Sequence, residues 1–474
     1  MSQRNRRDVL KVAAAAGLGA VGPSAGRTAD EGKPPIVRLT VLDGRAYAPS
    51  AEGNWTKEGD ELKWSDYVST VRKRAAGLEG RPVVIMVHGF MADPREEIKK
   101  PQTGNNPHTF SFHFATEEQL HWRHTAGWPR GLGLAPAPGA GGKPGLPIGF
   151  GWNSMPDLFT QPKNEIIKTL GSAFLGLAFN RQAREDLGRL TKAVTEAGTI
   201  VAQLDGPLNA AARQNLLNQL DALLTGVEDP LARTVDRMPA VYSEPYKRAE
   251  RAGEVLARAI QATSTALPDT PVDLFCHSLG SRVVLQSLRK IAEWEKQGVA
   301  EFKGVLRRVG RVILVGGAEY AVHAQGVLDA LRDAGAKDGP LFYNFMARRD
   351  RVLDILAQKC RPVDKNLTRT IGLVGLDTAQ KDKRWIDLQI DKVDGAHPLN
   401  RWLKDKRNGM AVAGADRFGV LNHWYYFTDK GNMDVFRAIL HDRPTWDVTK
   451  LREEQIPERA GIEKVGGSDT PDRL

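Results

Sequence analysis

Ser278 stands where an apolar run, Val272-Asp-Leu-Phe-Cys-His277, stops and a helical pattern (Val283, Val284, Leu285, Leu288) begins at once. A strand that turns into a helix through small residues pushes the middle side chain outward and aims the helix N-terminus at it. The first N–H groups of such a helix have no partner inside it, so they can stabilise a negative oxygen formed beside the turn. A hydroxyl held there is suited to nucleophilic attack once a base removes its proton. The stretch Cys276-His277-Ser278-Leu279-Gly280 departs from G-x-S-x-G at its first position, where Cys replaces Gly. Cys is small, so a tight turn is still feasible.

Such a nucleophile needs a base and an acid to orient it, and both must come from elsewhere in the chain. Asp350 follows the apolar run 341–346, and His423 follows the last apolar run, near 384–390. In this order Ser278 attacks, His423 takes and returns its proton, and Asp350 holds the imidazole in the useful tautomer. Asp354, one helical turn further on, and Glu319, after the preceding strand, are alternative acids. His397 precedes Pro398 in a polar stretch, and His441 falls beyond the last helical pattern, so both are weaker bases. Upstream, the apolar run 82–87 ends in His88-Gly89-Phe90. Gly89 lets the backbone approach a substrate, the Phe90 and Leu279 amides are the oxyanion donors, and His88 supports the loop.

These residues require a sheet to position them. Continuous apolar runs at 82–87, 272–277, 311–317 and 341–346 have the character of strands buried on both faces of a parallel sheet. An alternating run at 36–42 and runs at 147–154 and 384–390 add further strands. Helical patterns at 64–76, 246–265, 281–288 and 433–440 supply flanking layers. The fold class is therefore α/β, a mostly parallel sheet flanked by helices. From 155 to 240 the chain turns helical, with Leu187, Leu190, Val194, Ala197, Val201 and Leu204 on one face, and reads as a lid or cap inserted in the sheet order.

Several stretches taken together resemble serine esterases and lipases of the α/β-hydrolase superfamily, and within it a bacterial branch. They are Gly149-Phe-Gly-Trp-Asn-Ser154, Cys276-His-Ser-Leu-Gly-Ser-Arg-Val283, Asn344-Phe345 with Asp350-Arg-Val-Leu353, and Asn422-His423-Trp424 with Tyr426-Phe427. The resemblance covers the chain from about Val37 to Leu440, less the insertion. It implies hydrolysis of a small ester or lipid through an acyl-enzyme, with no metal or organic cofactor. A non-catalytic exported binding protein, or peptide, thioester or perhydrolase chemistry on the same triad, are the alternatives.

The start of the chain, Asn5-Arg6-Arg7-Asp8-Val9-Leu10-Lys11 followed by an Ala/Gly-rich run, resembles the twin-arginine export signal of bacteria. This divides the chain into a leader (1–26), a hydrolase domain (35–440) carrying the insertion (155–240), and a polar tail (449–474). A periplasmic or secreted location follows. The chain has 474 residues, 41% hydrophobic and 26% charged, with a net charge of +10, which describes a globular protein with an ample core and a basic surface. No stretch interleaves aromatic and basic residues as nucleic-acid modules do, and peripheral membrane contact is the partner class the charge leaves open. His108, His113, His121 and His124 crowd one irregular segment without a matched second pair, which reads as an entrance or surface loop before a metal site. Cys276 and Cys360 are too few for a disulfide framework and are expected as thiols.

Overall fold

The computed structural model describes residues 36–47, 61–90, 127–135, 144–154, 239–336, 339–350, 352–353, 369–376, 382–392, 397–413, 423, 426–427 and 429–458. In chain order the elements are β1 (Val37–Leu42), β2 (Arg45–Tyr47), α1 (Trp64–Ala75), β3 (Val83–Val87), α2 (Trp128–Gly131), β4 (Leu146–Trp152), α3 (Pro239–Ala266), β5 (Val272–His277) and α4 (Gly280–Lys296). They continue with β6 (Val309–Val315), α5 (Ala321–Asp333), β7 (Leu341–Met346), α6 (Ile371–Val374), β8 (Trp385–Gln389), α7 (Pro398–Lys406), α8 (Lys430–His441) and α9 (Val448–Glu453).

The strands form one eight-stranded sheet in the order β2-β1-β4-β3-β5-β6-β7-β8. Every pairing is parallel except the β1–β2 hairpin at one edge. The expected α/β class, a mostly parallel sheet flanked by helices, is what the chain adopts. Side chains alternate between two cores, as strand geometry demands. Val83, Ile85, Val87, Leu274, Cys276, Val312 and Leu314 pack with α1, α3, α4 and α5 on one face. Val84, Met86, Phe275, Ile313, Val315, Tyr343 and Phe345 pack with α2, α7, α8 and α9 on the other. Burial on both faces explains why these strands read as unbroken apolar runs.

Several buried strand residues break that rule, Asp273, Arg311, Asn344 and Asp387 among them. Asp273 is fully buried in β5, where its Oδ1 accepts the Arg311 N–H at 2.7 Å and its Oδ2 accepts from the Arg443 guanidinium. A carboxylate in such a place costs several kcal/mol unless it is paired, so β5 and the segment after α8 are tied together. The β5–β6 register shifts at this point, and Gly310 makes room: a Cβ there would lie 2.4 Å from Asp273 Oδ1.

The C-terminal segment differs from expectation. Val448–Glu453 is a helix rather than the start of a polar tail; Asp447 caps it by accepting from the Thr449 and Lys450 N–H groups, and Val448, Leu451 and Ile456 are buried. The folded part therefore runs to at least Ile456 instead of ending near 440. Two apolar residues one turn-spacing apart in a charged stretch are enough to dock a short helix when Trp446 has already anchored it. From α9, Arg452 donates to the main-chain carbonyls of Asp382 and Trp385 at the open side of β8. At the other edge the Leu62 N–H donates to the Ala46 carbonyl of β2. His397 caps α7 by accepting the Asn400 N–H, and His441 is the last residue of α8. Among the described residues no helix is long and apolar enough to cross a membrane. The leader, the 155–238 part of the insertion, the segment with His108, His113, His121 and His124, and the chain beyond 458 lie outside the described residues.

Candidate active site

The chain leaves β3 toward β4 on one side and leaves β5 toward β6 on the other, although β3 and β5 are neighbours. Divergent connections of this kind open a crevice at the carboxyl ends of the two strands, where ligands bind in open α/β sheets. The loops that emerge there are His88-Gly89-Phe90 after β3 and Ser278-Leu279 after β5.

Ser278 has φ 55, in the left-handed region that non-glycine residues avoid. Its backbone is pinned on both sides: its N–H donates to the Val315 carbonyl at 2.9 Å, and its carbonyl accepts the N–H groups of Ala318 and Ser281, each at 3.0 Å. The sheet and the start of α4 together impose the turn. The bonds that close the first turn come from the Ser281 and Arg282 N–H groups, so the Leu279 N–H stands ahead of them at the helix start. Two glycines permit this crowding. A Cβ on Gly280 would lie 2.6 Å from the carbonyl oxygens of Val87 and His88, and one on Gly89 would lie 2.8 Å from Ser278 Cβ. The loop after β3 therefore packs directly against Ser278.

His423 and Asp350, 73 residues apart in sequence, come together with Nδ1 to Oδ2 at 2.7 Å, and both are buried. Asp350 Oδ1 accepts the Leu353 N–H at 3.1 Å, which leaves Oδ2 for the imidazole. The backbone of His423 is held by His277, whose Nε2 donates to its carbonyl at 2.8 Å, and the two rings lie 4.5 Å apart. His277 is further wedged edge-on against Phe427, with ring centroids 4.7 Å apart. His277 is thus the side chain that ties the His423 segment to the residue preceding Ser278. Nothing local in the sequence signals a contact across 146 residues.

Glu319, the alternative acid, is engaged elsewhere. Its oxygens accept from Arg282 Nη1 at 2.8 Å, the Tyr246 hydroxyl at 2.6 Å and the Tyr320 N–H at 2.8 Å, and His323 Nδ1 lies 3.1 Å away. Burial raises its pKa, but the Arg282 charge and these hydrogen bonds outweigh burial and hold it at about 2. It is a permanent counter-ion that ties the first turn of α4 to the end of β6. Asp354, the other alternative, lies outside the described residues.

His88 is buried, and burial lowers its pKa to about 4 against a smaller opposing effect of its bond to Gly89. Its tautomer follows from its partners. Nε2 accepts the Trp152 N–H at 3.0 Å, so the proton sits on Nδ1, which donates to the Gly89 carbonyl at 2.9 Å. The Trp152 indole N–H returns a bond to the His88 carbonyl at 3.0 Å. His397 Nε2 bonds the Ile390 carbonyl and His441 Nε2 that of Leu132, both as structural links away from Ser278. Cys276 is a fully buried free thiol under the turn, 3.6 Å from both Ser281 Oγ and the Ile313 carbonyl, and burial raises its pKa to about 12. Cys360 lies outside the described residues.

A buried serine on a strained turn, and a buried imidazole–carboxylate pair whose backbone is held by the residue before that serine, are the parts that acyl transfer requires. No family model, no curated protein and no solved structure matches the chain.

Proposed function

We propose that the protein is a serine hydrolase of the α/β-hydrolase type that cleaves carboxylic esters through an acyl-enzyme. The observation that carries this reading is the Asp350–His423 pair at 2.7 Å, brought beside the left-handed turn at Ser278 by His277. In this reading Ser278 Oγ attacks the ester carbonyl while His423 takes its proton. The tetrahedral oxyanion is met by the Leu279 and Phe90 N–H groups. His423 then returns the proton to the departing alcohol, and water repeats the sequence to release the acid. Asp350 orients the imidazole and steadies the imidazolium. The strand order, with its crevice beside β3 and β5, and the sequence resemblance support the same assignment. Export through the twin-arginine-like leader is part of the proposal and rests on Arg6, Arg7 and the run that follows.

The test is an active-site-directed fluorophosphonate followed by peptide mapping. Labelling of Ser278, lost in Ser278→Ala together with hydrolysis of short-chain p-nitrophenyl esters, is the expected result. An unlabelled folded protein, or full esterase activity in Ser278→Ala, overturns the reading. A partner bound equally well by Ser278→Ala, in a protein without esterase activity, would point instead to a binding protein on this fold.

A further inference from the structure

The stretch Gly149-Phe150-Gly151-Trp152-Asn153-Ser154 belongs to neither the triad nor the oxyanion donors, yet it ends fully buried against the loop after β3. Ser154 Oγ donates to the Gly89 carbonyl at 2.8 Å. That same oxygen accepts from His88 Nδ1 at 2.9 Å, so both of its lone-pair directions are used. His88 is itself fixed from β4 by the Trp152 N–H and, through its own carbonyl, by the Trp152 indole. The loop after β3 is therefore held by the end of β4.

The consequence lies in the next peptide unit. In a trans peptide the carbonyl and the following N–H point in opposite directions, and every peptide bond described is trans. A Gly89 carbonyl pulled toward Ser154 and His88 turns the Phe90 N–H the other way. Gly89 lies close enough to Ser278 that a Cβ on it would meet Ser278 Cβ at 2.8 Å, so the rotated N–H belongs to the peptide packed on the nucleophile. Phe90 in turn rests edge-on against Tyr242 of α3 at 5.6 Å, which limits movement on its far side.

From the two hydrogen bonds on the Gly89 carbonyl we infer that Ser154 is a positioning residue for the oxyanion hole, acting through the Gly89–Phe90 peptide. This rests on the serine-hydrolase reading above. Ser154 touches neither substrate nor the reacting atoms; its hydroxyl fixes the plane of a peptide whose N–H does. With it removed, His88 alone holds the carbonyl and the peptide can swing.

The experiment compares wild type, Ser154→Ala and Ser154→Cys in ester hydrolysis and in inhibition by a trifluoromethyl ketone, which forms a tetrahedral adduct with the nucleophile. Loss of donor alignment of this kind costs on the order of 10-fold to 100-fold. In Ser154→Ala, kcat is expected to fall by that factor with KM unchanged, and trifluoromethyl ketone affinity is expected to fall in parallel. Ser154→Cys, near-isosteric with a weaker donor, is expected to fall between the two and keeps the question decidable if the alanine variant does not fold. Unchanged kcat and inhibitor affinity in a folded variant overturn the inference, as does a loss of kcat without a loss of adduct affinity. Failure of the underlying reading has a different signature, a wild-type protein that neither hydrolyses esters nor reacts with fluorophosphonate.

Discussion

His277 donates to the main-chain carbonyl of His423 at 2.8 Å, so the residue just before Ser278 positions the backbone of His423, the base of the proposed mechanism. Replacing it with Phe keeps a ring against Phe427 and removes the bond. The His277→Phe protein is expected to fold and to lose roughly 10-fold to 100-fold in kcat through misplacement of the base. Steady-state kinetics with a short-chain ester checks this; a variant with wild-type kcat would show that the bond is dispensable.

The two buried acids separate cleanly by substitution. Asp350→Asn leaves the geometry nearly intact but favours the wrong imidazole tautomer, and kcat is expected to drop by about 10⁴-fold. Glu319→Gln strands the Arg282 charge without its buried partner and is expected to cost about 3–5 kcal/mol of stability. Below its melting temperature that variant should keep kcat within a few-fold. Chemical denaturation and kinetics on both proteins distinguish the roles, and a reversal of the two patterns would make Glu319 the acid.

His88 predicts a pH dependence of stability. Its pKa is about 4 when folded against an ordinary 6.5, because burial disfavours the charged ring. The unfolded chain therefore binds the extra proton first as pH falls. The stability held by neutral His88 is complete above about pH 6.5 and drains away toward pH 4, by about 3 kcal/mol in all. Urea titrations of wild type and His88→Gln across this window should converge at low pH. Parallel curves would mean that His88 is not held neutral by burial.

Backbone strain at Ser278 gives a signature independent of catalysis. At φ 55 a side chain costs energy that glycine does not incur. Ser278→Gly is expected to be more stable than Ser278→Ala by about 1 kcal/mol, although both are inactive. Gly89→Ala is the converse: its methyl would meet Ser278 Cβ at 2.8 Å, displacing the loop and lowering activity at least 100-fold. Thermal melts and kinetics of the three variants test the pair.

The sheet was legible because burial on both faces writes itself as apolar runs such as 83–87 and 341–346, and the order Ser278, Asp350, His423 follows from where those runs end. Other features left no such trace. Asp273 near the start of β5 has meaning only with its partners Arg311 and Arg443, the latter 170 residues away. Val448–Glu453 buries too few apolar residues to show a helical period. The His277 bond to His423 and the Ser154 bond to Gly89 join distant segments, and periodicity does not encode them. The choice between Asp350 and Glu319 was open in the sequence because both follow strands; the His423 contact of Asp350 and the Arg282 contact of Glu319 separate them.

The sheet ends in two different strands, and each has a carbonyl already spoken for. Arg452 occupies that of Trp385 at β8, and Leu62 that of Ala46 at β2. A strand edge with free carbonyls is a template on which a second molecule can add its own strand. These contacts remove one carbonyl at each edge from such pairing, and the short helix α9, besides filling the core, covers part of the β8 edge with its arginine.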